Sequence, residues 1–206
     1  MRYLEIIAEA QYDESFEQYV SRLRSLGIKQ LGNGLNSLVF AHPELSNVAV
    51  KVFHDDDLGY REYLKFSIQN PGNKYLTTVL DTEDFADERE SKYVTSELHA
   101  NWNVKRGSNP PYSIVFLEKL EPVASGEFQE FAGQVCEMAG YPELTNMAKL
   151  GKAGWEVLAS DATDPDLRQL AVFLVQQIQK GHKLDIGREK NFLKRGNTIV
   201  FIDPFY

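Results

Sequence analysis

The chain changes character at Pro122, and that change limits its fold more than any single motif. Before Pro122 the apolar residues fall in short runs: Leu38-Val39-Phe40, then Val48-Ala49-Val50-Lys51-Val52-Phe53, then residues 112–117 entered through Pro110-Pro111. Runs of this length, bounded by Gly, Pro, Asn and Ser, are strand signals, and the first two predict a β-hairpin. After Pro122 the apolar spacing becomes helical over residues 128–139, 144–158 and 165–180. The last of these carries Leu167, Leu170, Ala171, Leu174, Val175 and Ile178 on one face. One late hairpin follows, residues 192–193 and 198–202 around Arg195-Gly196-Asn197. A β-rich first half and a helical second half predict the α+β class, not an alternating α/β sheet.

Two helices are expected among the early strands. Phe16, Tyr19, Val20, Leu23 and Leu26 give a helix over residues 12–26 stopped by Gly27, and Tyr60, Tyr63, Leu64 and Phe66 give another stopped by Asn70-Pro71-Gly72-Asn73. Residues 75–80 and 93–98 are expected as strands around the acidic stretch 81–90. A length of 206 residues fits a single domain of two lobes. Its divisions are expected at a helical segment 1–27, a β-rich lobe 28–122 and a short helical lobe 123–206.

Composition removes several function classes. The formal net charge is -8, with 22 Lys and Arg against 30 Asp and Glu and no dense basic run, which disfavours a phosphate backbone as general partner. Cys136 is the only cysteine, so an intrachain disulfide and a cysteine-rich zinc site are excluded and a reducing cytoplasm is expected. No basic-then-apolar leader and no apolar run of about 18 residues stands in the sequence, so membrane insertion is not expected. Four histidines, His42, His54, His99 and His182, include no zinc-binding pair and are expected at the surface or in turns. Cys136 is expected as a buried thiol, and Trp102 and Trp155 as packing residues.

Chemistry concentrates in three places. Leu31-Gly32-Asn33-Gly34-Leu35-Asn36-Ser37 carries two glycines that let backbone N–H groups approach an anion. A helix precedes them and a strand follows, which is the reverse of the dinucleotide-binding order. Lys51 lies on the next strand, where a solvent-facing lysine would be unremarkable. A glycine hairpin over phosphates followed by a strand lysine is also the kinase arrangement, with Glu62 on the following helix as a candidate partner for the ammonium. The third place is Asp185-Ile186-Gly187-Arg188-Glu189-Lys190-Asn191, with Asp203 ending the late hairpin. A kinase needs this order: a carboxylate to take the substrate hydroxyl's proton, an asparagine on Mg²⁺, and a second carboxylate on the metal that bridges the phosphates.

Residues 31–52, then Asp185 through Asn191 to Ile202-Asp203-Pro204, resemble the early serine/threonine protein kinases of T-odd-type podoviruses, a divergent branch of the protein-kinase-like fold. The resemblance spans residues 31–204, with its specific motifs at the two ends. It implies a minimal two-lobed fold with a truncated C-lobe, ATP and Mg²⁺ as cofactors, and a host protein as substrate in the bacterial cytoplasm. It also implies that residues 114–120 hold adenine, with Leu117 as gatekeeper and the backbone of Glu118 to Leu120 facing the base. Under it Lys51 and Asp185 are catalytic, Gly32, Gly34, Lys51, Glu62, Glu118 and Leu120 bind the nucleotide, and Asn191 and Asp203 hold the metal.

Three departures stand beside it. Five residues separate Asp185 from Asn191 where the pattern has four; either the loop bulges or Asp185 is displaced. Leu184 replaces the usual arginine, and three residues follow Asp203, which leaves no activation segment in this sequence. The competing expectation is therefore a catalytically inactive kinase-like viral protein that binds and inhibits a host factor. A small-molecule phosphotransferase is a third reading.

Overall fold

Ser15 starts the first helix, α1 (Phe16–Ser25), with a capping box. Its hydroxyl accepts the Gln18 N–H at 3.2 Å, and the Gln18 side chain accepts the Ser15 N–H at 2.7 Å. Glu17 in the first turn and Arg22 and Arg24 in the last complement the helix dipole. Gly27, at φ 72, takes the left-handed conformation that ends it. The computed structural model describes residues 15–34, 37–43, 45–54, 56–80 and 112–205. The expectations for residues 12–14, Leu35, Asn36, the acidic stretch 81–90, the strand 93–98, His99, Trp102 and Pro110-Pro111 lie outside the described residues.

Two compact units make up the chain: Met1–Leu58 with Thr78–Lys119, and Gly59–Thr77 with Leu120–Tyr206. In the first, β1 (Gln30–Asn33), β2 (Ser37–Ala41), β3 (Val48–His54) and β4 (Tyr112–Glu118) form an antiparallel sheet in the order β1-β2-β3-β4. Alternation sends Phe40, Val48, Val50, Val52, Tyr112 and Phe116 to one face, where they form a core with Phe16, Tyr19, Val20 and Leu23 of α1. The opposite face carries Ala49, Lys51 and Phe53.

The second unit holds most of α2 (Leu58–Gln69), then β5 (Glu121–Pro122), α3 (Ser125–Met138), α4 (Gly151–Asp161), α5 (Pro165–Gln179), β6 (Phe192–Arg195) and β7 (Thr198–Phe201). β5, β6 and β7 make a three-stranded antiparallel sheet, and Gly196 at φ 58 turns the β6 to β7 hairpin. Phe66 of α2 stacks on Phe173 of α5 with ring centroids 4.2 Å apart, and Phe205 meets Phe173 edge-on at 5.9 Å. Trp155 is fully buried and Cys136 is buried in α3 with its thiol pKa raised by burial, as expected for both. The α+β class expected from the sequence is the one observed. No helix among the described residues is long and apolar enough to cross a membrane.

Several expectations need correction. Residues 75–80 form no strand: Leu76 bridges Phe201 and Val79 bridges Leu117 as isolated pairs. Side chains take the donors a ladder would need, because the Thr77 N–H goes to the Tyr63 hydroxyl at 3.0 Å and the Thr78 N–H to Glu118 Oε1 at 2.7 Å. The helix expected over residues 144–158 begins only at Gly151. Asn146 Oδ1 accepts the Ala148 N–H at 2.9 Å and closes a 3₁₀ turn, Met147–Lys149, after which Gly151 at φ 59 breaks the path. His42 is a turn residue but not a surface one. It is buried, its Nδ1 accepts the Leu45 N–H at 3.0 Å, and desolvation lowers its pKa to about 4.

Candidate functional site

The first unit positions the glycine pair, the lysine and the segment expected to face a base. Gly32 lies in β1 opposite Val39, beside a register irregularity, while the Gly34 N–H donates to the Ser37 carbonyl at 2.8 Å and closes the hairpin. The Gly34 donor is therefore engaged by the turn. A Cβ added at Gly32 would meet nothing within 4 Å, and its φ lies outside the left-handed region. Neither backbone strain nor crowding demands glycine there.

Lys51 is buried, 5% exposed, which corrects the solvent-facing alternative. It sits at the middle of β3 between Val39 of β2 and Val115 of β4. The same sheet face continues on one side with Ala49 between Ala41 and Leu117, and on the other with Phe53 between Ser37 and Ser113. A buried ammonium costs several kcal/mol unless it is paired or hydrogen-bonded, so a lysine in this central strand is a specified feature. Leu117 is buried at the end of β4. Beyond it the Glu118 N–H donates to the Thr78 carbonyl at 3.0 Å and the Lys119 N–H to the Asn47 carbonyl at 2.8 Å. Both donors are thus engaged within the first unit.

The second unit brings Asp185, Asn191 and Asp203 together through the backbone. The Asp185 N–H donates to the Pro204 carbonyl at 2.9 Å, and Leu184 pairs with Phe205 as an antiparallel bridge. The Asn191 side-chain amide donates to the Asp185 carbonyl, and the Ile202 N–H donates to the Asn191 carbonyl at 3.0 Å. Asp203 thus lies between two residues hung on Asn191 and Asp185. Between Asp185 and Asn191, Ile186 is fully buried and Glu189–Asn191 forms a 3₁₀ turn. Space at Gly187 is tight, since a Cβ there would lie 3.0 Å from Ala148 Cβ and from Asn146 Oδ1. The Asp185 carboxylate has Arg188 Nε at 3.9 Å, the outer limit of an ion pair, and Arg188 is 70% exposed. Such a pair holds it only weakly.

Glu62, on α2, engages Lys65 at 2.9 Å and Lys180 at 3.0 Å, one with each carboxylate oxygen. Hydrogen bonds from those two lysines hold its pKa below the ordinary glutamate value.

The donor chemistry suits a Mg²⁺ ion shared with phosphates. A carbonyl oxygen only accepts, so the Asn191 end facing the Asp185 carbonyl is the NH₂ group, and the Asn191 oxygen is the end left to meet a metal. With the Asp203 carboxylate it would supply two hard oxygen ligands to a Mg²⁺ whose shell phosphates and water complete. Among the described residues no group of three His, Cys, Asp or Glu side chains gathers to hold a metal without such a co-ligand.

Sequence reasoning missed Tyr63, whose buried hydroxyl donates to the Phe201 carbonyl and accepts the Thr77 N–H at 3.0 Å. Its only signal was a phenol on the apolar stripe of a helix. The chain matches no protein-family model, no curated protein and no solved structure.

Proposed function

We propose that the chain is an ATP- and Mg²⁺-dependent phosphotransferase of the protein-kinase-like fold, of the phage type, that phosphorylates a hydroxyl of a host protein in the bacterial cytoplasm. The observation that carries this reading is the set of hydrogen bonds that ties Asp185, Asn191 and the stretch around Asp203 together. The buried strand lysine, Lys51, supports it from the first unit. In this reading Lys51 orients the α- and β-phosphates, Gly32 admits them close to the strand, and Leu120 meets the base. Asn191 and Asp203 hold the metal, which when bound neutralises charge on the β- and γ-phosphates. Asp185 takes the proton from the substrate hydroxyl as its oxygen bonds to the γ-phosphorus. The bond from that phosphorus to the bridging oxygen breaks, and ADP carries away the electron pair.

A second reading, a kinase-like protein that binds a host factor without catalysis, draws on Glu62. Both its oxygens engage Lys65 and Lys180, so its acid function is satisfied without a nucleotide-site lysine. Incubation with labelled ATP and Mg²⁺ separates the two. Transfer to self or to host extract that is lost in both Lys51→Ala and Asp203→Ala supports the enzyme. Binding of Mg²⁺-nucleotide without transfer supports the second reading. No transfer and no nucleotide-dependent rise in melting temperature sinks catalysis and nucleotide binding alike.

A further inference from the structure

Phe201 is the last residue of β7 and stands two positions before Asp203. Its backbone is fixed from both sides within the second unit. The Phe201 N–H donates to the Tyr75 carbonyl at 2.9 Å, and its carbonyl accepts the Tyr63 hydroxyl. The same hydroxyl accepts the Thr77 N–H at 3.0 Å, so its donor and one acceptor position are both in use. Tyr63 itself is fully buried on α2. Going on from Phe201, the Ile202 N–H is held by the Asn191 carbonyl and the Pro204 carbonyl by the Asp185 N–H. Four hydrogen bonds therefore frame the stretch that carries Asp203. Three of them are backbone to backbone, so no side-chain change short of proline removes them. The Tyr63 phenol is the one side chain among them.

We infer that Tyr63 is a positioning residue for the metal-binding carboxylate: its hydroxyl fixes the Phe201 carbonyl and thereby the reach of Asp203. The inference rests on the phosphotransferase reading of Asp203. Without the Tyr63 hydroxyl the strand end gains freedom, and the carboxylate meets the metal from a broader set of positions. Metal affinity and turnover then fall, while at saturating metal the KM for ATP changes little.

The test uses the full chain and two variants. Tyr63→Phe removes only the oxygen. Val135→Ala opens a small cavity in the buried face of α3 and is expected to lower the melting temperature while leaving the Tyr63 hydroxyl in place. Mn²⁺ affinity is measured by electron paramagnetic resonance with a non-hydrolysable ATP analogue present, and kcat and KM by labelled-phosphate transfer. Tyr63→Phe is expected to weaken Mn²⁺ binding about tenfold and lower kcat by about the same factor, with KM for ATP within about threefold. Val135→Ala is expected to leave Mn²⁺ affinity at the wild-type value. Equal Mn²⁺ affinity in wild type and Tyr63→Phe overturns the inference alone. Equal losses in Tyr63→Phe and Val135→Ala also overturn it, because a loss of general stability would then account for both. Absence of Mn²⁺-nucleotide binding in the wild type overturns the phosphotransferase reading and the inference with it. If Tyr63→Phe does not fold, 3-fluorotyrosine at position 63 keeps the hydroxyl and changes its acidity. A shift of about twofold or more in Mn²⁺ affinity then supports the inference, and none overturns it.

Discussion

His42 closes the turn between β2 and β3 as a neutral imidazole, since its Nδ1 must accept the Leu45 N–H and desolvation lowers its pKa from 6.5 to about 4. The unfolded chain takes up a proton near pH 6.5 that the folded chain refuses until about pH 4, so this group's share of stability is present at pH 7 and is lost as the pH falls between those values. Denaturant unfolding at pH 7 and pH 4.5 is expected to differ by about 2 kcal/mol more in the wild type than in His42→Asn, whose side-chain oxygen still accepts the Leu45 N–H. An equal pH dependence in both proteins would show that His42 does not carry it. Gly32 gives a cleaner separation of fold from function. Because an added Cβ meets nothing within 4 Å, Gly32→Ala is expected to melt within a degree or so of wild type or slightly above it. Under the proposed function the new methyl occupies the approach of the phosphates, and nucleotide affinity, followed by calorimetry, is expected to fall by about tenfold. A loss of stability with affinity intact would make Gly32 a folding residue.

Among the elements, the start of α5 shows how a helix is fixed by what its cap can reach. Asp164 accepts the N–H groups of Asp166 and Leu167 at 3.1 and 3.4 Å, the Tyr75 hydroxyl at 2.7 Å and the Lys74 ammonium at 2.6 Å. Partial burial pulls its pKa upward, but hydrogen bonds from Lys74, Tyr75 and the helix N–H groups outweigh that and leave it below the usual aspartate value. Asp164→Ala is expected to cost about 2 kcal/mol in denaturant unfolding at pH 7, and the cost is expected to shrink as the pH falls below about 4 and the wild-type carboxylate protonates. At the other end of the same helix Lys180 pairs with Glu62 across 54% and 31% exposed side chains, so Lys180→Ala is expected to change stability by under about 1 kcal/mol. Elements whose signals lie within a few residues were legible in the sequence: the apolar stripe of α5, the β2 to β3 hairpin, and Gly27 and Gly196 as stops. Residues 75–80 were not, because the Tyr63 hydroxyl and the Glu118 carboxylate take their donors from distant parts of the sequence. Residues 144–150 were misread because their leucine and methionine spacing suits a helix, while the Asn146 cap and left-handed Gly151 act on the backbone. At the candidate site the order of residues was legible, but the pairing of Glu62 with Lys180 depends on two elements meeting, which spacing does not encode.

At the scale of the molecule, the residues assigned to one reaction are divided between two compact units. Gly32, Gly34, Lys51 and Glu118 belong to the first, and Glu62, Leu120, Asp185, Asn191 and Asp203 to the second. A net charge of -8 disfavours the approach of a free nucleotide tetra-anion, and under the proposed function Lys51 of one unit and a metal on Asn191 and Asp203 of the other would offset it. Neither unit alone carries the full complement, and this gives the proposed function a consequence that its separate residues do not. Ligand binding stabilises whatever it engages by RT ln(1 + [L]/Kd), about 2.7 kcal/mol at a hundredfold excess over Kd. Mg²⁺ with a non-hydrolysable ATP analogue is therefore expected to slow amide hydrogen exchange in both units, at residues 30–33 and 48–54 of the first and 185–203 of the second. Lys51→Ala, a change confined to the first unit, is expected to abolish the protection in the second as well, and Asp203→Ala to abolish it in the first. Protection that stays in 185–203 when Lys51 is replaced would mean that the second unit binds the metal and nucleotide by itself. Lys51 would then be a buried structural lysine, and the phosphotransferase reading would lose its first-unit half.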